Sequence, residues 1–219
     1  MSNRRETDAD TDSDADSDAE TNSDVETDSD TEPDADAGSD TDANDASPTN
    51  DGQRFDRLPP TEADRVVAER ATRREVLTFW EDRFGIPPEV FEQYTFWERG
   101  KGKVWVVRGD HPSPVGIEAL GMTFLRTRQE HWKPTTDAIQ RFGRHAMRNV
   151  IELEPDEARL FVRGEDQQIE RWTGDWGYLI AAHDFAGRVE PLGVGLFIRG
   201  ELRSTVPKGR RRELVSLDR

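Results

Sequence analysis

Lysine is rare in this 219-residue chain, four against 26 arginines, and each lysine sits where the pattern of secondary structure breaks. Lys101 and Lys103 lie in the glycine turn Arg99-Gly100-Lys101-Gly102-Lys103, Lys133 in Trp132-Lys133-Pro134-Thr135-Thr136, and Lys208 in Pro207-Lys208-Gly209-Arg210-Arg211-Arg212. Free backbone N–H groups at such breaks favour anions, and a cation beside them suits a phosphate. The alternative is that loops are simply where lysine survives. Trp132 adds an aromatic face, suited either to an unstacked nucleotide or to burial. Arg141, Arg144, His145 and Arg148 recur as a basic stripe opposite Ala138, Ile139, Phe142, Ala146 and Val150 on one expected helix. The candidate phosphate contacts are therefore Lys101, Lys103, Lys133, Thr135, Arg141, Arg144, Arg148, Arg203, Lys208, Arg210, Arg211 and Arg212. Trp172 and Trp176 flank Gly174 and Asp175 in a loop, where they either stack on bases or close the end of a barrel.

Catalytic patterns are poor by comparison. With no cysteine, the chain has no disulfide, thiolate metal site or cysteine nucleophile. His111, His131, His145 and His183 lack HExxH spacing, and neither a Walker loop nor a GxSxG elbow occurs. The segment from Asp34 to Asp40 superficially suggests a calcium loop, but the glycine at loop position six and the glutamate at twelve are missing. The expectation is no catalytic residue, no metal and no cofactor.

Two bodies must position the candidate residues. Pro59 and Pro60 precede Thr61, read as the cap of a helix through Val66, Val67, Arg70, Leu77 and Trp80 that Gly85 stops. Pro87 to Gln93 suggests a short helix. Tyr94 to Trp97 and Val104 to Val107 read as a hairpin, followed by a short helix from Gly116 to Leu120 and a strand from Met122 to Arg126. Residues 54–129 thus form a small α/β unit. In residues 130–219, a threonine caps a helix running to about Arg148. Strands follow at Val150 to Leu153, Tyr178 to Ala182, Leu192 to Ile198 and Leu202 to Val206, with a helix at Pro155 to Phe161. Alternation in Leu192-Gly193-Val194-Gly195-Leu196 predicts a half-buried strand with Leu196 in the core. Short strands with glycine-rich turns suggest a small barrel, giving an α+β fold overall.

Charge divides the chain more sharply. Residues 1–53 carry 19 Asp and Glu against Arg4 and Arg5, a net of −17, whereas the whole chain is −16 and the remainder therefore +1. That first segment contains no Leu, Ile, Phe, Trp or Tyr and is expected to be a disordered acidic tail. Its start lacks the apolar stretch of a signal peptide, and no run approaches the roughly 20 apolar residues of a membrane span. A cytoplasmic location is expected. The excess of arginine over lysine and the Asp-rich tail resemble a halophilic proteome, in which the Debye length of about 3 Å at molar salt leaves only contact-distance interactions.

Across Phe84 to Arg212 the chain resembles the RNA-binding region, ending in a PUA-like domain, of Fmu/Sun-type rRNA cytosine-5 methyltransferases and stand-alone archaeal relatives. The resemblance rests on Phe84-Gly85-Ile86, Tyr94-Thr95-Phe96, Lys103-Val104-Trp105, Lys133-Pro134-Thr135-Thr136, Arg163-Gly164-Glu165, Leu192-Gly193-Val194-Gly195 and Leu202 to Lys208, in that order. It implies a PUA-like β-barrel packed on a small α/β domain and binding to structured RNA, rRNA during ribosome maturation. A separately encoded methyltransferase or pre-ribosomal proteins are the implied partners. The family's enzymes carry a Rossmann domain for S-adenosylmethionine and catalytic cysteines, and this chain has neither. An RNA-binding ribosome-biogenesis factor, or an accessory to an rRNA or tRNA modification enzyme, is the favoured class. A protein-interaction scaffold and an enzyme of another type are the alternatives.

Overall fold

The computed structural model describes residues 54–209 and 211, so the expected tail over 1–53 and the cations Arg210 and Arg212 lie outside the described residues. The chain enters at β1 (Asp56–Arg57), makes one 3-10 turn at Glu62–Asp64, and forms α1 (Arg73–Phe84). The single long helix expected from Thr61 does not form. Its first turn ends at Arg65, Glu69 takes a left-handed φ of 62°, and a new start is made at Thr72. There the Thr72 hydroxyl accepts from the Glu75 N–H (3.1 Å) while the Glu75 carboxylate accepts from the Thr72 N–H (2.8 Å). Such a reciprocal cap satisfies two otherwise unpaired donors. A 3-10 turn at Pro88–Phe91 leads into β2 (Tyr94–Glu98), β3 (Lys103–Arg108), β4 (Met122–Arg126) and β5 (Lys133–Pro134). These pair antiparallel in chain order, β1-β2-β3-β4-β5. No helix forms at Gly116 to Leu120. Val115 instead bridges Phe55, and Leu120 is buried with Phe55 and Trp97 beneath the sheet.

α2 (Thr136–Phe142) is shorter than expected, because Gly143 opens a 3-10 turn and packs against Pro191. Arg144 and Arg148 are therefore not on a continuous helical face with Arg141. β6 (Val150–Glu152), α3 (Pro155–Arg163), β7 (Gln167–Gln168), β8 (Gly177–Phe185), β9 (Arg188–Ile198) and β10 (Glu201–Ser204) follow. They form a second sheet in the order β6-β8-β9-β10-β7, with β6 parallel to β8 and the other pairs antiparallel. Two sheets with helices against them make the fold α+β. No helix among the described residues is long and apolar enough to cross a membrane.

The boundary expected at residue 129 does not separate two cores. One cluster joins Trp80 and Phe84 of α1, Phe96, Phe124 and Leu125 of the first sheet, Ile139 and Phe142 of α2, and Ile180 and Val194 of the second sheet. Trp80 stacks on Phe124 at 4.6 Å between ring centroids. Fully burying such a side chain contributes about 1.5–3 kcal/mol. The opposite face of the second sheet packs Leu179, Ala181, Phe197 and Leu202 against Phe161 of α3. Gly195 is needed there, since a Cβ on it would stand 2.5 Å from Leu202 Cδ1. Both faces of β9 are thus used, and Leu196, expected in the core, is only partly buried, whereas Val194 on the same face is fully buried.

Candidate nucleic-acid interface

The register across the second sheet sets the site. Tyr178 of β8 stands opposite Leu196 of β9, which stands opposite Arg203 of β10. Directly opposed residues of antiparallel strands point to one face, so the three form a row on the face that carries Ile180 and Val194. At Ile180 and Val194 that face is covered by the shared core; at Tyr178, which packs on the edge of that core, and at Leu196 it is partly open. The uncovered part forms one wall of a cleft of about 930 Å³, lined also by Phe79 and Arg83 of α1, the segment Gln129 to Trp132, Trp176 and Ile198. A shallower recess shares Phe79, Arg83 and Trp132 with it.

Lys133 reaches this wall from the other sheet, its Nζ lying 5.9 Å from the centre of the Tyr178 ring. It belongs to β5, two residues before the Thr135 cap of α2. The first sheet adds a second row: Lys103 stands opposite Arg126, and Arg126 opposite Lys133. Like charges directly opposed across strands destabilise a sheet. Burial, with Arg126 second, holds the Lys133 ammonium below the usual lysine range. Lys103 turns its ammonium over the Trp105 ring at 5.0 Å, so the row fans outward from β4.

Arg83 fixes the cleft's aromatic rim. Its Nε donates to the Tyr178 carbonyl (2.7 Å) and its Nη2 to the Trp176 carbonyl (2.9 Å). Burial lowers its pKa, and Asp175, 3.6 Å away, opposes that shift. Asn149 clamps the same place by donating to the Arg83 carbonyl (2.7 Å) and to Asp175 Oδ2 (3.1 Å). Between the two bonded carbonyls Gly177 takes a φ of 100°, which a side chain would strain. The result separates the two loop tryptophans. Trp172 is half-buried against Phe197, whereas the Trp176 indole is 64% exposed on a backbone held from behind. Trp132 is half-buried with Phe79 at its back, 5.7 Å between ring centres.

The remaining candidate residues scatter. Lys101 is exposed in its turn, 3.7 Å from Glu69. The Thr135 hydroxyl is committed to the fold: it caps α2 by accepting from the Ala138 N–H (3.2 Å) and donates to the Thr123 carbonyl (2.7 Å). Arg141 lies over the Tyr94 ring at 5.9 Å, at β2, with β3 and β4 between it and β5. Arg144 Nε donates to His145 Nε2 (3.3 Å), and Arg148 Nη1 to the Asp82 carbonyl (3.4 Å). Arg203 is exposed on β10 and bonded to Glu201 (2.6 Å). Lys208 is exposed beyond β10. Arg211 folds back over Gly164, its Nε donating to the Val206 carbonyl (2.7 Å). The structure therefore sets Lys133 against Tyr178 and in line with Lys103, puts Arg203 on the Tyr178 face with Leu196 between them, leaves Arg141 with Tyr94 and keeps the Thr135 hydroxyl within the fold.

Sequence reasoning did not single out Arg83, Arg126, Phe79 or Tyr178. Arg126 had a signal, since a cation ending a strand beside Lys103's hairpin can stand opposite it. Arg83 had none, because its partners are backbone carbonyls more than ninety residues away. Among the described residues no group of three or more His, Cys, Asp or Glu side chains could hold a metal ion.

No curated protein matches the chain. Residues 41–121, which include Phe79 and Arg83 but not the β5, β8, β9 and β10 walls of the cleft, match the profile of a family described as a family of unknown function, DUF7122.

Proposed function

We propose that this protein binds structured RNA through the cleft and the cation row that ends beside it at Lys133, acting as a PUA-like module rather than as a catalyst. One observation carries the reading: Lys133 stands over Tyr178, whose sheet face continues through Leu196 to the exposed Arg203, and no carboxylate bridges Lys103, Arg126 or Lys133 among the described residues. Cations assembled against their own repulsion, without acids to neutralise them, suit a polyanion. Phosphate contacts fix the register of the nucleic acid. The resemblance of Phe84 to Arg212 to the RNA-binding region of rRNA methyltransferases favours rRNA as the target. It also favours a role in ribosome biogenesis or beside a separate modification enzyme.

The test is fluorescence anisotropy of a labelled rRNA hairpin with the full chain and the double variant K133A/R203A. Neither side chain lies in the core, so the variant should keep the parent's circular dichroism. It should bind at least tenfold more weakly, a loss of about 1.4 kcal/mol. Equal affinity of variant and parent would sink the reading.

A further inference from the structure

We infer that the cleft takes an unpaired nucleobase of an RNA strand, stacked on Trp176 and Trp132, while Lys133 and Arg203 hold the flanking phosphates. The inference rests on the RNA reading above and specifies what enters the site. A duplex keeps its bases in their own stack and presents backbone and base edges to a protein. A concave aromatic site is filled instead by a base that has left the stack. Here the walls are Phe79, Trp132, Trp176 and Tyr178, and the volume of about 930 Å³ is that of a site for a drug-sized ligand.

Trp176 carries most of the argument. Tryptophans are highly buried on average, yet Trp176 keeps 64% of its surface in water. Its backbone is neither free nor strained by chance. The Arg83 guanidinium binds the carbonyls on both sides of Gly177, and Asn149 and Asp175 hold Arg83 in turn. The fold therefore presents the indole without using it to fill a core. A stacking surface fixed before binding loses little entropy when the base arrives. Trp132 offers a second face already supported by Phe79. Gln129 and Glu130 at the rim supply donors and acceptors for the base edge. An aromatic groove also suits a proline-rich peptide, but such a peptide has no use for Lys133 against Tyr178 or Arg203 opposite Leu196.

Salt separates the two kinds of contact. Raising it weakens phosphate binding, whereas stacking is largely indifferent to it. The experiment measures anisotropy of a labelled twelve-nucleotide oligouridylate, alone and annealed to oligoadenylate, on the full chain and on W176A, W176F and K133A/R203A, at 0.1 M and 2 M potassium chloride. The single strand should bind at least tenfold tighter than the duplex. W176A should lose at least tenfold at both salt concentrations and W176F should recover most of it. The K133A/R203A deficit should shrink at 2 M.

If the duplex binds as well as the single strand, and W176A matches the parent while K133A/R203A is weakened, the base site falls and the RNA reading stands. If K133A/R203A binds both RNAs like the parent, or neither RNA binds, the RNA reading falls as well. If neither RNA binds but a proline-rich peptide does, the cleft is a peptide site and both are overturned.

Discussion

Two clusters of charge in the first sheet are built in opposite ways. Arg70 is almost fully buried between two carboxylates, its Nε donating to Glu98 (2.7 Å) and its Nη2 to Asp56 (3.2 Å), and the second Glu98 oxygen accepts from the Gly102 N–H (2.7 Å). Every buried charge there has a partner, and the cluster pins the turn that carries Lys101 and Lys103. On the next strands of the same sheet, β3, β4 and β5, Lys103, Arg126 and Lys133 stand in one row with no acid bridging them among the described residues. The first arrangement is complete without a ligand. The second has like charges that an anion would neutralise, and this contrast is why the proposed RNA site is centred there.

The largest effect expected from breaking the contrast is on the complete cluster. Arg70→Ala leaves Glu98 buried without its cation, which should cost about 3–5 kcal/mol in a denaturant melt. RNA affinity per folded molecule should change little. A loss of affinity larger than the loss of folded protein would mean that the two clusters are coupled.

Next in size is the boundary between the covered and open parts of one sheet face. Val194 and Leu196 point the same way from β9, yet Val194 is fully buried beside Ile180 while Leu196 lines the cleft. Val194→Ala should cost about 1–3 kcal/mol, by analogy with other deletions of buried methyl groups. Leu196→Ala, although it deletes more carbon, should cost less than Val194→Ala. The reverse order in paired thermal melts would show that the cleft closes in solution.

This boundary also shows what sequence could and could not supply. The hairpin β2–β3, strand β4, helix α3 and the β8, β9 and β10 strands are legible because their alternation or helical spacing is local, and because Gly85 and Gly164 end helices in left-handed conformations. Leu196 lies on the face that alternation predicts, but the shared core that covers Val194 ends before it, and where a cover ends depends on elements distant in sequence. The helix expected from Thr61 failed for a related reason: Thr61 carries a local start signal, but the Thr72–Glu75 cap eleven residues later competes with it. Lys133 and Arg203 were legible as candidates by type and position. Their common relation to Tyr178 depends on the register of three strands. The grip of Arg83 on Trp176 has no local signature at all.

A smaller effect has a less usual sign. The fold holds Lys133 half-buried beside Arg126, and its pKa is lowered, by burial first and then by that neighbour. A lysine whose folded pKa lies below its unfolded value opposes folding wherever it is charged in the unfolded chain. The penalty is full below the folded pKa and disappears as pH rises through the unfolded value near 10.5. Lys133→Met should therefore fold at least as stably as the parent at pH 7, with a midpoint raised by a few degrees, while binding RNA more weakly. The difference between the two proteins should narrow toward pH 10.5. A variant less stable than the parent at pH 7 would mean that the contact of Lys133 with the Tyr178 ring outweighs its desolvation, and that the position serves the fold first.

The smallest effect concerns the two lysines of one turn. Lys101 and Lys103 are separated only by Gly102, but Lys101 is exposed near Glu69 while Lys103 begins the row with Arg126 and Lys133. Gly102 fixes this difference, since a Cβ on it would stand 2.7 Å from the Arg128 backbone nitrogen at a φ of 70°. An exposed ion pair contributes about 0–1 kcal/mol, so Lys101→Ala should leave both stability and affinity near the parent's. If Lys103 touches a phosphate, Lys103→Ala should reduce the slope of log affinity against log salt by about 0.7–0.9, the value for one contact. Lys101→Ala should leave the slope as it is. Equal slopes for the two variants would place the RNA path away from the β3 end of the row, and would confine phosphate contacts to Lys133 and Arg203 at the cleft.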